Sequence, residues 1–383
     1  MEKAGLYIHI PFCVQKCLYC DFLSFSGRFQ YAKQYADQVC REIEFKKDWG
    51  KKLEFDSVFI GGGTPSSIEP EWIAQILNKA RTVFSFAPDS EITIEVNPGT
   101  LSQAKLKAYS EMGINRVSMG MQSTSDRLLH SIGRVHSKEE GIHCALTLAQ
   151  YFTNRNIDLI SGIPGIDGEQ PQTMAELQED LAFITAMQVP HVSIYSMITE
   201  PGTPLYQLTQ ENKVIACDDE LERQMYHHIR EYLILNGYDH YEVSNFARPG
   251  YVCKHNMKYW QGSPYLGIGL GSASFLPWDH NSDTYVRSTN ETDLMKYLDQ
   301  VEFAPKEEIL IPLDERRCEY MMLGFRRIKG PDPELYQSLF QQDLYKDFDS
   351  HLSYLHTMEY IRSDLSLTKK GMDYANHIFE MFV

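Results

Sequence analysis

The chain has 383 residues, 43% hydrophobic and 23% charged, a balance that can bury a sizeable core and excludes a disordered or fibrous protein. A formal net charge of −16 repels phosphate backbones and anionic lipid headgroups, so neither nucleic acid nor a membrane surface is an expected partner. No run of about 18 apolar residues is present to span a bilayer, the N-terminal residues lack a secretory pattern, and eight cysteines are too few for a disulfide scaffold, which points to a reducing, cytoplasmic setting.

In chain order, short runs rich in β-branched or aromatic residues predict strands over 6–10, 57–60, 92–96, 116–119, 157–160 and 191–195. All are nearly continuous in apolar character, as strands covered on both faces should be. Helical periodicity lies between and after them, over 29–48, 70–84, 101–112, 137–152, 172–187 and 218–236. Ser137 and Glu140 read as a capping box, and Gly113 and Gly237 stand where helices should stop. Six βα units in succession imply a parallel sheet, doubly wound or curled into a partial barrel, over residues 1–240. The rhythm then breaks into a Gly- and aromatic-rich extension, 241–302. Residues 303–383 return to helix and end in a segment, 360–371, that reads as a hairpin wing with a short helix. Acidic residues outnumber basic ones 14 to 10 in this winged-helix-like module, so it reads as structural or partner-contacting rather than DNA-binding.

Cys13, Cys17 and Cys20 form C-x3-C-x2-C directly after the first predicted strand; the other five cysteines are scattered singly. Three thiolates within eight residues can converge on one soft metal centre. Zinc prefers four protein ligands, usually as two C-x2-C pairs, and no second pair exists. A [4Fe–4S] cluster can be held by three cysteines, which leaves one iron open to an external ligand. Further on, Gly61, Gly62, Gly63, Thr64 and Pro65 follow the second strand, where side-chain-free backbone can approach a ligand. Glu95 sits in an apolar strand as an acceptor suited to ribose hydroxyls. Gln122, Arg134 and Asp158 lie near the C-terminal ends of the next strands, where α/β folds place their sites. Tyr7 and His9 alternate with apolar residues and face one side of the first strand.

On these residues the chain resembles the radical S-adenosylmethionine (SAM) proteins, whose hallmark is this cysteine loop after the first strand of a partial barrel. The resemblance implies a partial (β/α)6 barrel. It also implies a cluster on Cys13, Cys17 and Cys20, and SAM chelating the open iron through its amino and carboxylate groups. Tyr19 takes the place of the aromatic residue that the family keeps near the adenine; ordinary loop packing explains it equally well.

The segment Tyr-Ile-His-Ile-Pro-Phe-Cys (7–13), the Gly-Gly-Gly-Thr-Pro run and the Gln122, Arg134, Asp158 set are similar to the oxygen-independent coproporphyrinogen III oxidase group, over essentially the whole chain. That resemblance assigns Tyr7, Gly62, Gly63, Thr64, Glu95, Gln122, Arg134 and Asp158 to SAM contacts. The oxidases proper carry a fourth cysteine where this chain has Phe22, and a long arm before the cluster where twelve residues precede Cys13. Lys254–Trp260 instead contains His-Asn-x-x-Tyr-Trp, similar to the haem-chaperone branch of the group. His255 offers an imidazole to haem iron, and Tyr259 and Trp260 offer flat surfaces to the macrocycle. Cys253 is a rival ligand, and a buried structural motif is the competing account. The expected function is therefore binding of haem and its delivery to haem-accepting proteins, with transient contact with membrane haemoproteins left open. The alternative readings are a coproporphyrinogen III dehydrogenase, a radical SAM enzyme for another small molecule, and a zinc-loop interaction module.

Overall fold

A computed structural model describes residues 1–278 and 284–383. Residues 279–283, within the 241–302 extension, lie outside the described ones. Six parallel strands, β1 (Glu2–Ile10), β2 (Leu53–Gly62), β3 (Ser85–Val96), β4 (Arg116–Gln122), β5 (Asn154–Ser161) and β6 (His191–Ser196), stand side by side in sequence order. Each pairs in parallel with the next. Helices connect them on the outside: α1 (Ala32–Phe45), α2 (Pro70–Val83), α3 (Gln103–Glu111), α4 (Asp126–Ser131), α5 (Lys138–Tyr151) and α6 (Met174–Ala186). Beyond β6 come α7 (Pro204–Gln210) and α8 (Asp219–Leu235). Because helices cover one face and the core fills the other, every residue of β4 is buried, which is why these strands read as unbroken apolar runs. The Ser137–Glu140 capping box forms as expected at the start of α5, and Gly113 and Gly237 both hold positive φ after their helices.

The expectation of irregular chain after about 240 is corrected. The sheet continues at both ends. On the β6 side it gains β7 (Asp239–Glu242) and β8 (Asn245–Ala247); on the β1 side it gains β9 (Tyr265–Ile268), β10 (Ala273–Pro277), β11 (Tyr285–Thr289) and β12 (Glu307–Ile311). β9 pairs with β1 in parallel; the remaining additions are antiparallel. Helix therefore resumes at Leu313, not near 303. The strands were hidden because Gly267, Ser274 and Ser288 interrupt any hydrophobic period. Between β8 and β9 lies α9 (Lys254–Trp260), and α10 (Leu294–Asp299) follows β11.

A buried carboxylate locks this extension to the barrel. Glu42 of α1 is fully buried and accepts from the Gly269 backbone N–H (2.8 Å), the Asn290 amide (2.7 Å) and the Tyr297 hydroxyl (2.6 Å), and pairs with Lys46 at 2.7 Å. A buried charge needs that degree of compensation. The C-terminal helices, α11 (Leu313–Gly324), α12 (Pro333–Phe340), α13 (Leu344–Asp347), α14 (Asp349–Thr357), α15 (Lys369–Asp373) and α16 (Ala375–Glu380), enclose their own apolar cluster, including Phe325, Tyr336, Leu355 and Ile378. Where a hairpin wing was expected, a single antiparallel bridge joins Ile361 to Leu367 ahead of α15.

Candidate functional site

The C-terminal ends of β1 to β5 open onto one cavity. Its wall contains Cys13, Cys17, Tyr19 and Cys20 from the loop after β1, and Gly62, Gly63 and Thr64 after β2. Glu95 of β3, Gln122 of β4, Arg134 and Asp158 of β5 join them, so that of the residues assigned to SAM contacts Tyr7 alone is missing from the wall. Phe22, which stands in place of the fourth cysteine, also lines it, as do Asn97 and Ser118, which sequence reasoning did not select.

The glycine run works by absence of side chains. Gly63 N donates to Ile10 O (2.8 Å) and Thr64 N to Phe12 O (2.7 Å), so the run lies flat against the base of the cysteine loop. A Cβ on Gly62, whose φ is +112°, would sit 2.3 Å from His9 Cε1. A Cβ on Gly63 would sit 2.7 Å from Phe12 O, and one on Gly61 2.7 Å from Glu95 Oε2. No other residue fits that cradle.

Three hydrogen-bonded groups surround it. Glu95 accepts from the Gly62 backbone N–H at 3.0 Å. Burial, reinforced by the Asp158 charge, pushes its carboxyl up to about 7, against the pull of that N–H. Asp158 is also raised, chiefly by burial, although Ser118 Oγ donates to it at 3.3 Å and Asn156 Nδ2 at 2.5 Å. Arg134 donates to Cys17 Sγ (3.5 Å) and to Asn97 Oδ1 (2.7 Å), and the same Asn97 amide donates to Thr64 Oγ1 (2.9 Å). Thr64 Oγ1 in turn lies 3.5 Å from Cys13 Sγ. One carboxamide thus ties the arginine to the glycine run and so to two cysteines. Gln122 reaches the cavity from a bulge: the β4–β5 register shifts between Gly120 and Gln122, and Gln122 has φ +70°. That strained geometry re-aims its side chain.

Tyr7 stands apart, beneath the cradle. His9 Nε2 donates to Leu23 O at 2.8 Å, which leaves Nδ1 as the acceptor of the Tyr7 hydroxyl at 3.0 Å. Tyr7 therefore touches the cysteine loop through His9 and does not line the cavity.

His255 also lies elsewhere, at 1% exposure under β1 and β2. Its Nδ1 is 3.1 Å from Ser57 Oγ and its Nε2 3.0 Å from the Tyr259 hydroxyl. Gly5 makes room for the ring, since a Cβ there would lie 3.0 Å from His255 Cε1. Burial, with Lys258 and Arg116 adding to it, drives His255 down to about 3, so the imidazole is neutral and both nitrogens are engaged. Cys253 is wholly buried, donates to Glu91 Oε1 at 3.6 Å and is pushed up to about 12 by burial. Trp260 stacks beneath the Arg326 guanidinium, 4.6 Å from its ring centre.

A parallel (β/α)6 run with three cysteines at the first loop and a glycine cradle facing them defines a radical SAM protein, and the Radical SAM superfamily model matches residues 7–180. The whole-chain fold is shared with the coproporphyrinogen III oxidase HemN from Escherichia coli, with TM-score 0.81 at 22% identity over 100% of this chain and 90% of that one. Within the superfamily the chain belongs to the HemW family. It is 37% identical over 338 residues to the heme chaperone HemW of Synechocystis sp., covering 86% of this chain and 79% of that protein. It is 31% identical over 383 residues to the heme chaperone HemW of Lactococcus lactis, covering 98% and 96%.

Proposed function

We propose that this protein binds haem in the cytoplasm and delivers it to haem-accepting proteins, while Cys13, Cys17 and Cys20 hold a [4Fe–4S] cluster whose open iron takes exchangeable SAM. The observation that carries the cofactor reading is the convergence of those cysteines, the Gly62–Gly63 cradle and the Glu95, Gln122, Arg134 and Asp158 side chains on one cavity. Among the described residues no three His, Cys, Asp or Glu side chains are gathered tightly enough for a single metal ion. Thiols spread along one wall suit a multinuclear cluster, in which each iron takes its own sulfur. When bound, the cluster and SAM supply a one-electron redox centre beside a sulfonium.

This chain's own residues do the rest. The cradle's backbone carbonyls receive an ammonium group, Arg134 faces a carboxylate, and Glu95 and Asp158 accept from ribose hydroxyls. Tyr19 offers its ring to the adenine. The haem part of the reading rests on the relatives named heme chaperones, one of which aligns over 98% of the chain, and on the His255–Trp260 motif. Direct coordination of iron by His255 requires the Tyr259 hydroxyl to leave Nε2 first.

The test is anaerobic reconstitution of the full chain. About four irons per protein, an EPR spectrum of the reduced cluster that SAM perturbs, and transfer of bound haem to an apo-haemoprotein are expected. Stoichiometric zinc without iron, or no uptake of haem, would overturn it.

A further inference from the structure

Beneath the SAM cavity the inward-facing side chains of β4, β5 and β6 form a second, more deeply buried row. The parallel register sets Ser118 beside Asn156 and Asn156 beside His191, two residues below the row of Gly120, Asp158 and Ser193. Ser118 and Asn156 are buried and His191 is wholly so. Polar side chains at that depth need partners, and these find them in one another.

The row carries a directional chain of hydrogen bonds. Asn156 Nδ2 donates to Asp158 Oδ1 at 2.5 Å and to Ser118 Oγ at 2.7 Å, and lies 3.0 Å from Ser193 Oγ. Ser118 Oγ in turn donates to Asp158 Oδ2 at 3.3 Å. Both carboxylate oxygens are thus held from below, and their remaining lone pairs are left to the cavity. An ionised carboxylate only accepts, so the Asn156 amide turns its NH2 to Asp158 and its carbonyl to His191. Asn156 Oδ1 stands 2.7 Å from His191 Nδ1, which must then carry the proton. His191 Nε2, 2.7 Å from the Tyr241 hydroxyl, must accept. One imidazole does both only when neutral. Burial, with the Arg116 charge adding to it, keeps it so by holding its pKa well below the ordinary value.

The far end of the chain is anchored beyond the six barrel strands. Tyr241 lies on β7, where its carbonyl accepts from Ile328 N at 3.2 Å. Val243 N, two residues on, donates to Arg326 O at 2.9 Å. These backbone bonds join β7 to the segment after α11, so the Tyr241 ring has a fixed base from which to hold His191.

We propose that Asn156, His191 and Tyr241 are positioning residues for SAM: the chain they form turns the Asp158 carboxylate so that it accepts from a ribose hydroxyl. None of the three belongs to the cavity wall, so each acts through Asp158. The inference rests on the SAM reading above, which gives Asp158 its ligand. Loss of the Tyr241 hydroxyl alone would leave His191 Nε2 an unpaired acceptor in the core, which loosens the ring and with it the amide.

The test uses the full chain with its cluster reconstituted. Equilibrium dialysis gives the dissociation constants of SAM and of its analogue lacking both ribose hydroxyls. In the unaltered chain the analogue should bind about tenfold more weakly or worse, as fits the loss of hydrogen bonds to charged acceptors. In Tyr241→Phe, SAM should weaken several-fold and that preference should shrink to about threefold or less, whereas a general loosening of the fold would weaken both ligands alike. The preference is a ratio within one variant, so a lowered melting temperature does not spoil it. Added to Asp158→Ala, Tyr241→Phe should change SAM affinity by less than about twofold. An undiminished preference in Tyr241→Phe, or a further several-fold loss on top of Asp158→Ala, overturns the positioning role while the cofactor reading stands. So does the absence of any preference in the unaltered chain. Failure of the unaltered chain to bind SAM at all overturns the cofactor reading and this role with it.

Discussion

Glu95 is where the site's electrostatics can be read from outside. Its carboxyl titrates near pH 7 in the folded chain against 4.5 ordinarily, because burial and the neighbouring Asp158 charge favour the neutral acid. A raised acid loses stability as pH climbs: below about 4.5 both states are protonated, and between 4.5 and 7 only the unfolded chain ionises and is favoured. The share of stability that Glu95 contributes in the cluster-free protein should therefore fall between pH 5 and pH 7.5, by at most about 3 kcal/mol, while buried neutral histidines such as His255 and His9 act in the opposite direction. Glu95→Gln should raise the melting temperature relative to the unaltered chain more at pH 7.5 than at pH 5; an equal difference at both pH values would show that Glu95 does not titrate in this range. Asn97 marks the limit of residue-scale reading. It lies two places beyond Glu95 and so shares its side of the chain, a period-2 signal present in the sequence. Only the fold shows that its amide joins Arg134 to Thr64.

At the scale of elements, the glycine cradle holds the β2 end against the cysteine loop and can fail independently of any ligand. Gly62→Ala would place a methyl group 2.3 Å from His9 Cε1 at a φ of +112°. It should cost well over 1 kcal/mol and lower iron incorporation on reconstitution. Wild-type melting temperature and iron content in that variant would show that the cradle yields. The six parallel strands were legible because they are apolar on both faces, and six of the helices between and after them by their periodicity, whereas the short α4 and α7 were not. The extension strands were not legible. β12 has four exposed residues out of five, and β9 owes its place to pairing with β1, about 260 residues earlier in the chain, which local pattern cannot encode. His255 was visible as a motif, but its burial was not: the space for its ring comes from Gly5 on a strand remote in sequence.

For the whole molecule, the question is whether a shared fold brings a shared reaction. This chain superimposes on a coproporphyrinogen III oxidase over its full length, yet at 22% identity that agreement speaks for the fold alone. Phe22, where the oxidases are expected to carry a fourth cysteine, is 64% exposed on the cavity rim beside the cysteine loop. A phenyl ring there offers neither a sulfur nor a polar contact, and Gln15 next to it is exposed as well. Decarboxylation through substrate radicals needs a site closed to water, and this rim leaves it open. We therefore expect fewer than one turnover of coproporphyrinogen III per protein under anaerobic conditions with SAM and a reductant, read as protoporphyrin fluorescence after oxidation. Changing Phe22→Cys alone should not restore activity, because the rim stays open. Many turnovers by the unaltered chain would instead make it an oxidase, and would require that rim to close when substrate binds.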